Sequence, residues 1–325
     1  MTEVLYVVQQ GNVEPWLADF LEVARSHDLP VSVLDDTAPL EPQFAGIAVV
    51  VDQGGHATRE MIAVGASAGV RLWQVLGTGL DHTEVAHIHS HGIALANTPG
   101  MFSAVALAEH ALLLILALAK RLPEAEANCR IGRMYHPVAD ELGEQTLGLV
   151  GLGASGSELA RRARALGMRV RGVDVVPLPR ERLDEIGVQQ FAGLDGLDDL
   201  LRESDYVSLH VPLTDETRHL IDERRLALLK PTAALVNVAR GRIVDEAALA
   251  RALSARAFAG AGLDVFGEEP LTPENPLLAL ENVIATPHTA GVTRGTSRRR
   301  SQVCVENALR VLNEEEPLYV VDPDD

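Results

Sequence analysis

The stretch TLGLVGLGASGSELARRARALGMRVRGVD, residues 146–174, restricts what this chain can fold into more than any other. A strand-like apolar run enters Gly151, Gly153 and Gly156 in the spacing GxGxxG, and Leu159, Ala160, Ala163 and Leu166 then mark one face of a helix. Gly151 permits the turn, Gly153 lets backbone approach a pyrophosphate, and Gly156 lets helix lie close on strand. The N–H groups of Ala154 and Ser155 at the helix start then face the anion. Gly167 caps the helix, and the next strand ends at Asp174, 18 residues beyond Gly156. A carboxylate there hydrogen-bonds a ribose 2′-hydroxyl and repels a 2′-phosphate, so the expected cofactor is NAD rather than NADP. FAD is a second reading, although its motif usually stands at the start of a chain and this one stands mid-chain. A glycine-rich turn without a ligand is a third, but strand, helix and acid all fall where a dinucleotide needs them.

Around this motif, short β-branched runs alternate with helical patterns. The first series has Val4 to Val8, Trp16 to Arg25, Ile47 to Val51, a helix near Glu60 to Gly65, and Leu72 to Leu76. The second restarts at Thr146 and continues through Val170 to Asp174, Tyr206 to Leu209, Ala234 to Val238, Gly260 to Asp264 and Val283 to Ala285. Strand and helix in alternation imply parallel sheets with crossover helices. Turn signals at Asn97-Thr98-Pro99-Gly100 and at Pro287 punctuate the chain. The helical stretch Thr293 to Asn313 could return to the first unit. The expected domains are therefore 1–98 with 290–325, and 99–289.

A formal charge of −18 argues against nucleic-acid or anionic-membrane partners. The one dense basic run, Arg298-Arg299-Arg300, reads as a solvated helix face. The opening MTEVLYVVQQ lacks the basic start and apolar run of a signal peptide, so a cytoplasmic protein is expected. Ala104 to Ala119 is apolar but interrupted by Glu109 and His110 and short of the ~20 residues of a membrane span, so it reads as a buried helix. Cys129 and Cys304 are too few for a disulfide framework or a cysteine metal cluster and read as two buried thiols.

Three loop residues follow strands of the second series. Arg240 stands after ALVNVA, Glu269 after the strand ending at Asp264, and His288 after Val283 to Ala285. Open α/β sheets bind ligands beyond the C-terminal ends of their strands. Arginine offers a fixed, permanently charged fork for a carboxylate or carbonyl. A carboxylate bonded to a histidine stabilises its imidazolium, raising such a group's pKa so that it can give and take a proton near neutral pH. Singly, each of the three is more often structural.

Taken in order, GLGASG, VNVARG, LDVFGEEP and TPHTAG resemble the D-isomer-specific 2-hydroxyacid dehydrogenase family, which includes phosphoglycerate dehydrogenases and glyoxylate/hydroxypyruvate reductases. VLGTGLDH (75–82), ANTPG (96–100), the helix through Ala108-Glu109-His110 and LHVPLTDET (209–217) extend the resemblance over nearly the whole chain. It implies an NAD-binding Rossmann domain plus a flavodoxin-like substrate domain, both doubly wound α/β, closing on a hinge in a homodimer, with helix Ala104 to Arg121 near the dimer contact. It also implies hydride transfer between NAD and a small 2-keto or 2-hydroxy acid. His288 would be the general acid/base, Glu269 its charge-stabilising partner, and Arg240 the ligand of substrate carboxylate and carbonyl. Backbone at Thr78 and Gly79 would hold the carboxylate. His210, Pro212, Thr217, Val238 and Ala239 would line the cofactor cleft, and Asp264 would face the nicotinamide amide.

Ser155 departs from the Ile or Val that the family carries in the glycine loop. The family's phosphoglycerate enzymes place Arg and Lys after the strand corresponding to Ile47 to Val51, where this chain reads Asp52-Gln53-Gly54-Gly55-His56. This favours a small uncharged side group, as in glyoxylate or hydroxypyruvate, over phosphoglycerate. Phosphite oxidation is a further alternative. The alternative of another class is an NAD-sensing protein resembling the family's transcriptional corepressors.

Overall fold

The computed structural model describes residues 3–8 and 15–322, so residues 1–2, 9–14 and 323–325 of the expected first domain lie outside the described part. Two compact units are present, residues 1–102 with 293–325, and residues 103–292. The crossings fall slightly later than 98/99 and 289/290, for local reasons. The 3-10 turn Gly100–Phe102 stays with the first unit because the Phe102 ring meets Tyr319 at 5.6 Å and its carbonyl accepts from Arg299 Nε at 3.0 Å. Ala290 stays with the second because it is buried there and donates its N–H to Asp264 Oδ2 at 2.8 Å.

In unit 1, β1 (Val4–Val7), β2 (Val31–Val33), β3 (Val49–Gln53), β4 (Leu72–Leu76) and β5 (Ala94–Ala96) are parallel in the order β2-β1-β3-β4-β5. This is the flavodoxin-like winding. β1, β3 and β4 are buried on both faces, which is why they read as continuous apolar runs. One face, with Val4, Tyr6, Val51 and Leu72, packs on Trp16 and Phe20 of helix Trp16–Ser26 and on Cys304, Val305 and Ala308 of helix Arg294–Leu312. Thr293 caps the latter by accepting the Thr296 N–H at 3.1 Å, worth about 1 kcal/mol. The opposite face buries Trp73, whose indole donates to the buried Asp52 at 3.0 Å.

Two expectations need correction. Arg298 and Arg299 are exposed, but Arg300 turns inward, with Nη2 donating to Thr78 Oγ1 at 2.8 Å and its guanidinium over the Trp16 ring. Cys304 is buried but Cys129 is exposed, because its helix Leu122–Arg130 lies at the surface and buries only Asn128.

In unit 2, β6 (Thr146–Val150), β7 (Arg169–Val173), β8 (Gln190–Ala192), β9 (Tyr206–Leu209), β10 (Ala234–Asn237), β11 (Gly260–Leu263) and β12 (Val283–Ala285) are parallel in the order β12-β11-β10-β9-β6-β7-β8. The chain winds outward from β6 through β7 to β8, then returns to place β9 on the other side of β6. The Rossmann switch point therefore lies between β6 and β9. Helices Ala104–Ala119 and Ala154–Ala165 cover one face through Ala108, Ala111, Leu114, Ile115, Leu159 and Ala163. The first of these helices is buried along one side only, since Leu113 is exposed. Among the described residues, no helix is long and apolar enough to cross a membrane.

Candidate active site

The glycine loop sits at the switch point. Gly151 has φ +96°, a left-handed conformation that favours glycine, and a Cβ there would lie 2.6 Å from the His210 carbonyl oxygen after β9. At Gly156, the third residue of helix Ala154–Ala165, a Cβ would stand 2.1 Å from the Gly151 carbonyl oxygen, so the helix can lie this close to the loop only with a glycine there. Gly153 is the opposite case: it is exposed, and a Cβ would meet nothing within 4 Å. Its open side and the first N–H groups of the helix, at Ala154 and Ser155, form a cradle that fits a pyrophosphate. Asp174 lies just past β7 and ties the loop together, Oδ2 accepting the Leu152 N–H at 2.7 Å and Oδ1 the Val176 N–H at 2.9 Å.

His210 is held on both ring nitrogens, by Ser155 Oγ at 3.0 Å and Ser208 Oγ at 2.9 Å. Burial pulls its pKa down to about 4, so the ring is neutral at physiological pH. Ser155 thus exchanges an apolar contact for a hydrogen bond and leaves the backbone cradle intact. Pro212 and Thr217 form one loop, the Thr217 hydroxyl donating to the Pro212 carbonyl at 2.7 Å.

The loops after β10, β11 and β12 carry the remaining residues. Asn237, at the end of β10, accepts the Ala239 N–H at 3.0 Å and donates to the Arg240 carbonyl at 2.9 Å, folding the backbone sharply through buried Val238 and Ala239. Arg240 Nη1 donates to the Ala239 carbonyl at 2.7 Å. Beyond it, a Cβ on Gly241 would lie 1.9 Å from the Phe266 carbonyl carbon, so this loop and the one bearing Glu269 touch through backbone.

Glu269 Oε1 accepts the Phe266 N–H at 2.9 Å and Oε2 meets His288 Nδ1 at 2.6 Å. Burial pushes the Glu269 carboxyl upward, but the bond and charge of His288, the Phe266 N–H and the nearby Arg240 charge outweigh it, and its pKa falls below the usual range. With Nδ1 committed to Glu269, His288 presents Nε2 outward from a half-exposed ring. Its backbone, at φ +53°, is left-handed.

Asp264, fully buried, fastens this loop. Its carbonyl accepts the His288 N–H at 2.8 Å, Oδ1 accepts Thr286 Oγ1 at 2.6 Å and the Thr289 N–H at 2.9 Å, and Oδ2 accepts the Ala290 N–H. The carboxylate assigned to the nicotinamide by resemblance, which follows β11, is thus bonded on both oxygens to the loop after β12.

In unit 1, Thr78 and Gly79 lie in the loop after β4. The Thr78 hydroxyl donates to the Thr98 carbonyl at 2.9 Å and accepts from Arg300, while Asn97 Nδ2 donates to the Thr78 carbonyl at 2.9 Å. His56, after β3, stacks on His82 with ring centroids 4.9 Å apart. Sequence reading missed Asn97, Asn237, Gly241, Arg300 and the His56–His82 pair. Only Asn237, a polar residue ending an apolar strand, left a local signal.

Residues 112–290 match the profile described as D-isomer specific 2-hydroxyacid dehydrogenase, NAD binding domain. The chain belongs to the D-isomer-specific 2-hydroxyacid dehydrogenase family. It is an NAD-dependent dehydrogenase of this family. A family member named glyoxylate reductase, from Korarchaeum cryptofilum, is 40% identical over 264 residues, covering 79% of this chain and 77% of its own. One named (S)-sulfolactate dehydrogenase, from Chromohalobacter salexigens, is 38% identical over 307 residues, covering 91% and 97%. Among solved family structures, D-lactate dehydrogenase from Aquifex aeolicus, complexed with NAD and lactic acid, has a TM-score of 0.80 and 31% identity, covering 96% of each chain.

Proposed function

We propose that the chain interconverts a small 2-keto acid and its D-2-hydroxy acid, with His288 as the proton-transfer residue. The carrying observation is the 2.6 Å Glu269–His288 contact through Nδ1, which leaves Nε2 as the atom that exchanges a proton with the substrate oxygen. Bound NAD(H) supplies or takes the hydride at the substrate carbon. Glu269 holds the imidazolium form and the ring's tautomer, and Arg240 binds the carboxylate and polarises the carbonyl. The glycine cradle takes the pyrophosphate, and Asp174 takes the adenosine ribose. On the family resemblance, Val238, Ala239, His210, Pro212 and Thr217 would line the cofactor cleft, Asp264 would face the nicotinamide amide, and the N–H groups at Thr78 and Gly79 would hold the substrate carboxylate.

For the side group, the lack of Arg or Lys between Asp52 and His56 supports glyoxylate or hydroxypyruvate, and the resemblance to a glyoxylate reductase agrees. A second reading is a side group bearing its own acid. The near full-length likeness to a sulfolactate dehydrogenase favours it, and the stacked imidazoles of His56 and His82 would meet such an acid as hydrogen-bond donors, because burial and the neighbouring His82 lower the His56 pKa toward the neutral ring. A homodimer through unit 2 is supported by the exposed apolar side chains Leu113, Leu122, Ile131, Met134, Tyr135 and Val138. Cytoplasmic residence completes the proposal.

The test is NADH oxidation at 340 nm with glyoxylate, hydroxypyruvate, pyruvate, sulfopyruvate and phosphohydroxypyruvate, alongside His288→Ala. Saturable turnover of one acid, lost by at least 10³-fold in the variant while NADH still binds, is expected. Unimpaired turnover in His288→Ala removes that residue from the reaction. No turnover of any acid despite tight NADH binding favours the sensing alternative.

A further inference from the structure

Of the two polar side chains on helix Ala104–Ala119, Glu109 is exposed and His110 is not, and the roles above leave the largely buried one unassigned. His110, only 14% exposed, projects from this helix, which packs on β10, β11 and β12. Its Nε2 lies 2.9 Å from Thr286 Oγ1 and 3.4 Å from Asp264 Oδ1. The direction of the first bond follows from counting hydrogens. A threonine hydroxyl has one proton, and Thr286 gives it to Asp264 at 2.6 Å. The contact with His110 is therefore His110 Nε2–H donating to Thr286 Oγ1.

We infer that His110 is a positioning residue for His288, acting through Thr286 and Asp264. Asp264 binds the segment on both sides of His288: its carboxylate accepts the Thr286 hydroxyl before it and the Thr289 and Ala290 N–H groups after it, and its carbonyl accepts the N–H of His288 itself. A left-handed residue such as His288 has no intrinsic preference for its place and stays there because its surroundings over-determine it. His110 contributes a tether from outside the loop: without its N–H, Thr286 is free to rotate its hydroxyl off Oδ1. The loop then loses a bond one residue before Pro287 and two before His288, and the 2.6 Å approach to Glu269 loosens. The acid pair thus rests on a helix far away in sequence. Besides Glu269, the charged side chains facing this assembly are Arg240 and Asp264, and His110 is a further titratable group beside it.

The inference rests on His288 being the proton-transfer residue, so His288→Ala is run in parallel. Two substitutions separate hydrogen bonding from packing: His110→Phe keeps a ring and removes the donor, and His110→Gln keeps an N–H at a similar reach. In His110→Phe, kcat for keto-acid reduction should fall about tenfold, with the NADH dissociation constant from fluorescence titration unchanged. The alkaline limb of its pH profile should move to lower pH, because a loosened Glu269 holds the imidazolium less well. His110→Gln should recover most of both. Thr286→Val cuts the tether at its other end and should reproduce the shift even if His110→Phe fails to fold.

Wild-type kcat and pH profile in His110→Phe or Thr286→Val overturn the inference, as does equal impairment in the Phe and Gln variants, which would assign the effect to packing. If His288→Ala itself turns over normally, the premise has failed instead, and the two failures are distinguishable.

Discussion

Gly241→Ala tests whether the loops bearing Arg240 and Glu269 must touch. The added Cβ would stand 1.9 Å from the Phe266 carbonyl carbon, 2.0 Å from its oxygen and 2.5 Å from the Gly267 nitrogen, all backbone atoms that cannot swing aside. Ordinary contact begins at 3.4 Å, so the loops must separate by 3.4 − 1.9 = 1.5 Å. Phe266 and Glu269 belong to one short loop joined by the 2.9 Å bond from the Phe266 N–H. Adding 1.5 Å to the 2.6 Å Glu269–His288 contact takes it beyond hydrogen-bonding reach. A displacement of about 1 Å at a reacting group costs roughly 10² in rate, or about 2.7 kcal/mol of barrier. Overpacking should also lower stability by about 1–3 kcal/mol. The assay is steady-state keto-acid reduction at saturating NADH, with NADH titration and thermal unfolding on the same preparations. A folded Gly241→Ala enzyme with wild-type kcat would refute the reasoning. A variant that binds NADH normally and loses kcat would support it.

Asp174→Ala removes the carboxylate that accepts the Leu152 N–H and, by proposal, the ribose hydroxyl; NADH affinity should fall about tenfold while NADPH is rejected less. An unchanged ratio of the two affinities in a coenzyme titration would contradict it. Glu269→Gln keeps the shape but not the charge beside His288 Nδ1, so the alkaline limb of keto-acid reduction should move to lower pH, with kcat down about tenfold or more. An unmoved pH profile would separate the two residues functionally. His210 takes a proton at about pH 4 in the folded chain and near 6.5 when unfolded, so the unfolded state binds more protons between those values. Its contribution is complete above about pH 6.5 and is lost as pH falls, by about 2 kcal/mol between pH 7 and pH 5. Urea unfolding of wild type and His210→Asn at both pH values measures this, and equal slopes in the two would rule it out.

How much of this was legible beforehand depended on burial. Strands β1, β3, β4, β6, β9 and β10 are enclosed on both faces and announce themselves as apolar runs. The three strands missed, β2, β5 and β8, have three residues each and lie at sheet edges, too short a run to show a strand pattern; β12 is as short but was read from its place in the second series. The glycine loop was readable because its chemistry is local: turn, helix start and acid lie within one βαβ unit. Glu269 and His288 could be named from their order along the chain, but not the bond between them. The residues that escaped notice act across large sequence separations. Arg300 secures Thr78 and His110 reaches Thr286, and neither partner can be found without the fold. The same holds for His56, whose stacking partner His82 cannot be found without the fold.

The discontinuity of unit 1 has a consequence for how the protein is made. Its fifth strand ends at Ala96, yet helix Arg294–Leu312, which covers one face of its sheet, begins about 200 residues later. At typical translation rates the ribosome needs roughly 10–40 s to bridge that interval. Throughout it, Val4, Tyr6, Val51 and Leu72 lack the cover that Cys304, Val305 and Ala308 later provide. Unit 2, contiguous in sequence, can complete its own core within the same interval. The nascent chain is therefore most open to misassociation along the strands of unit 1, which are made before unit 2 and covered after it.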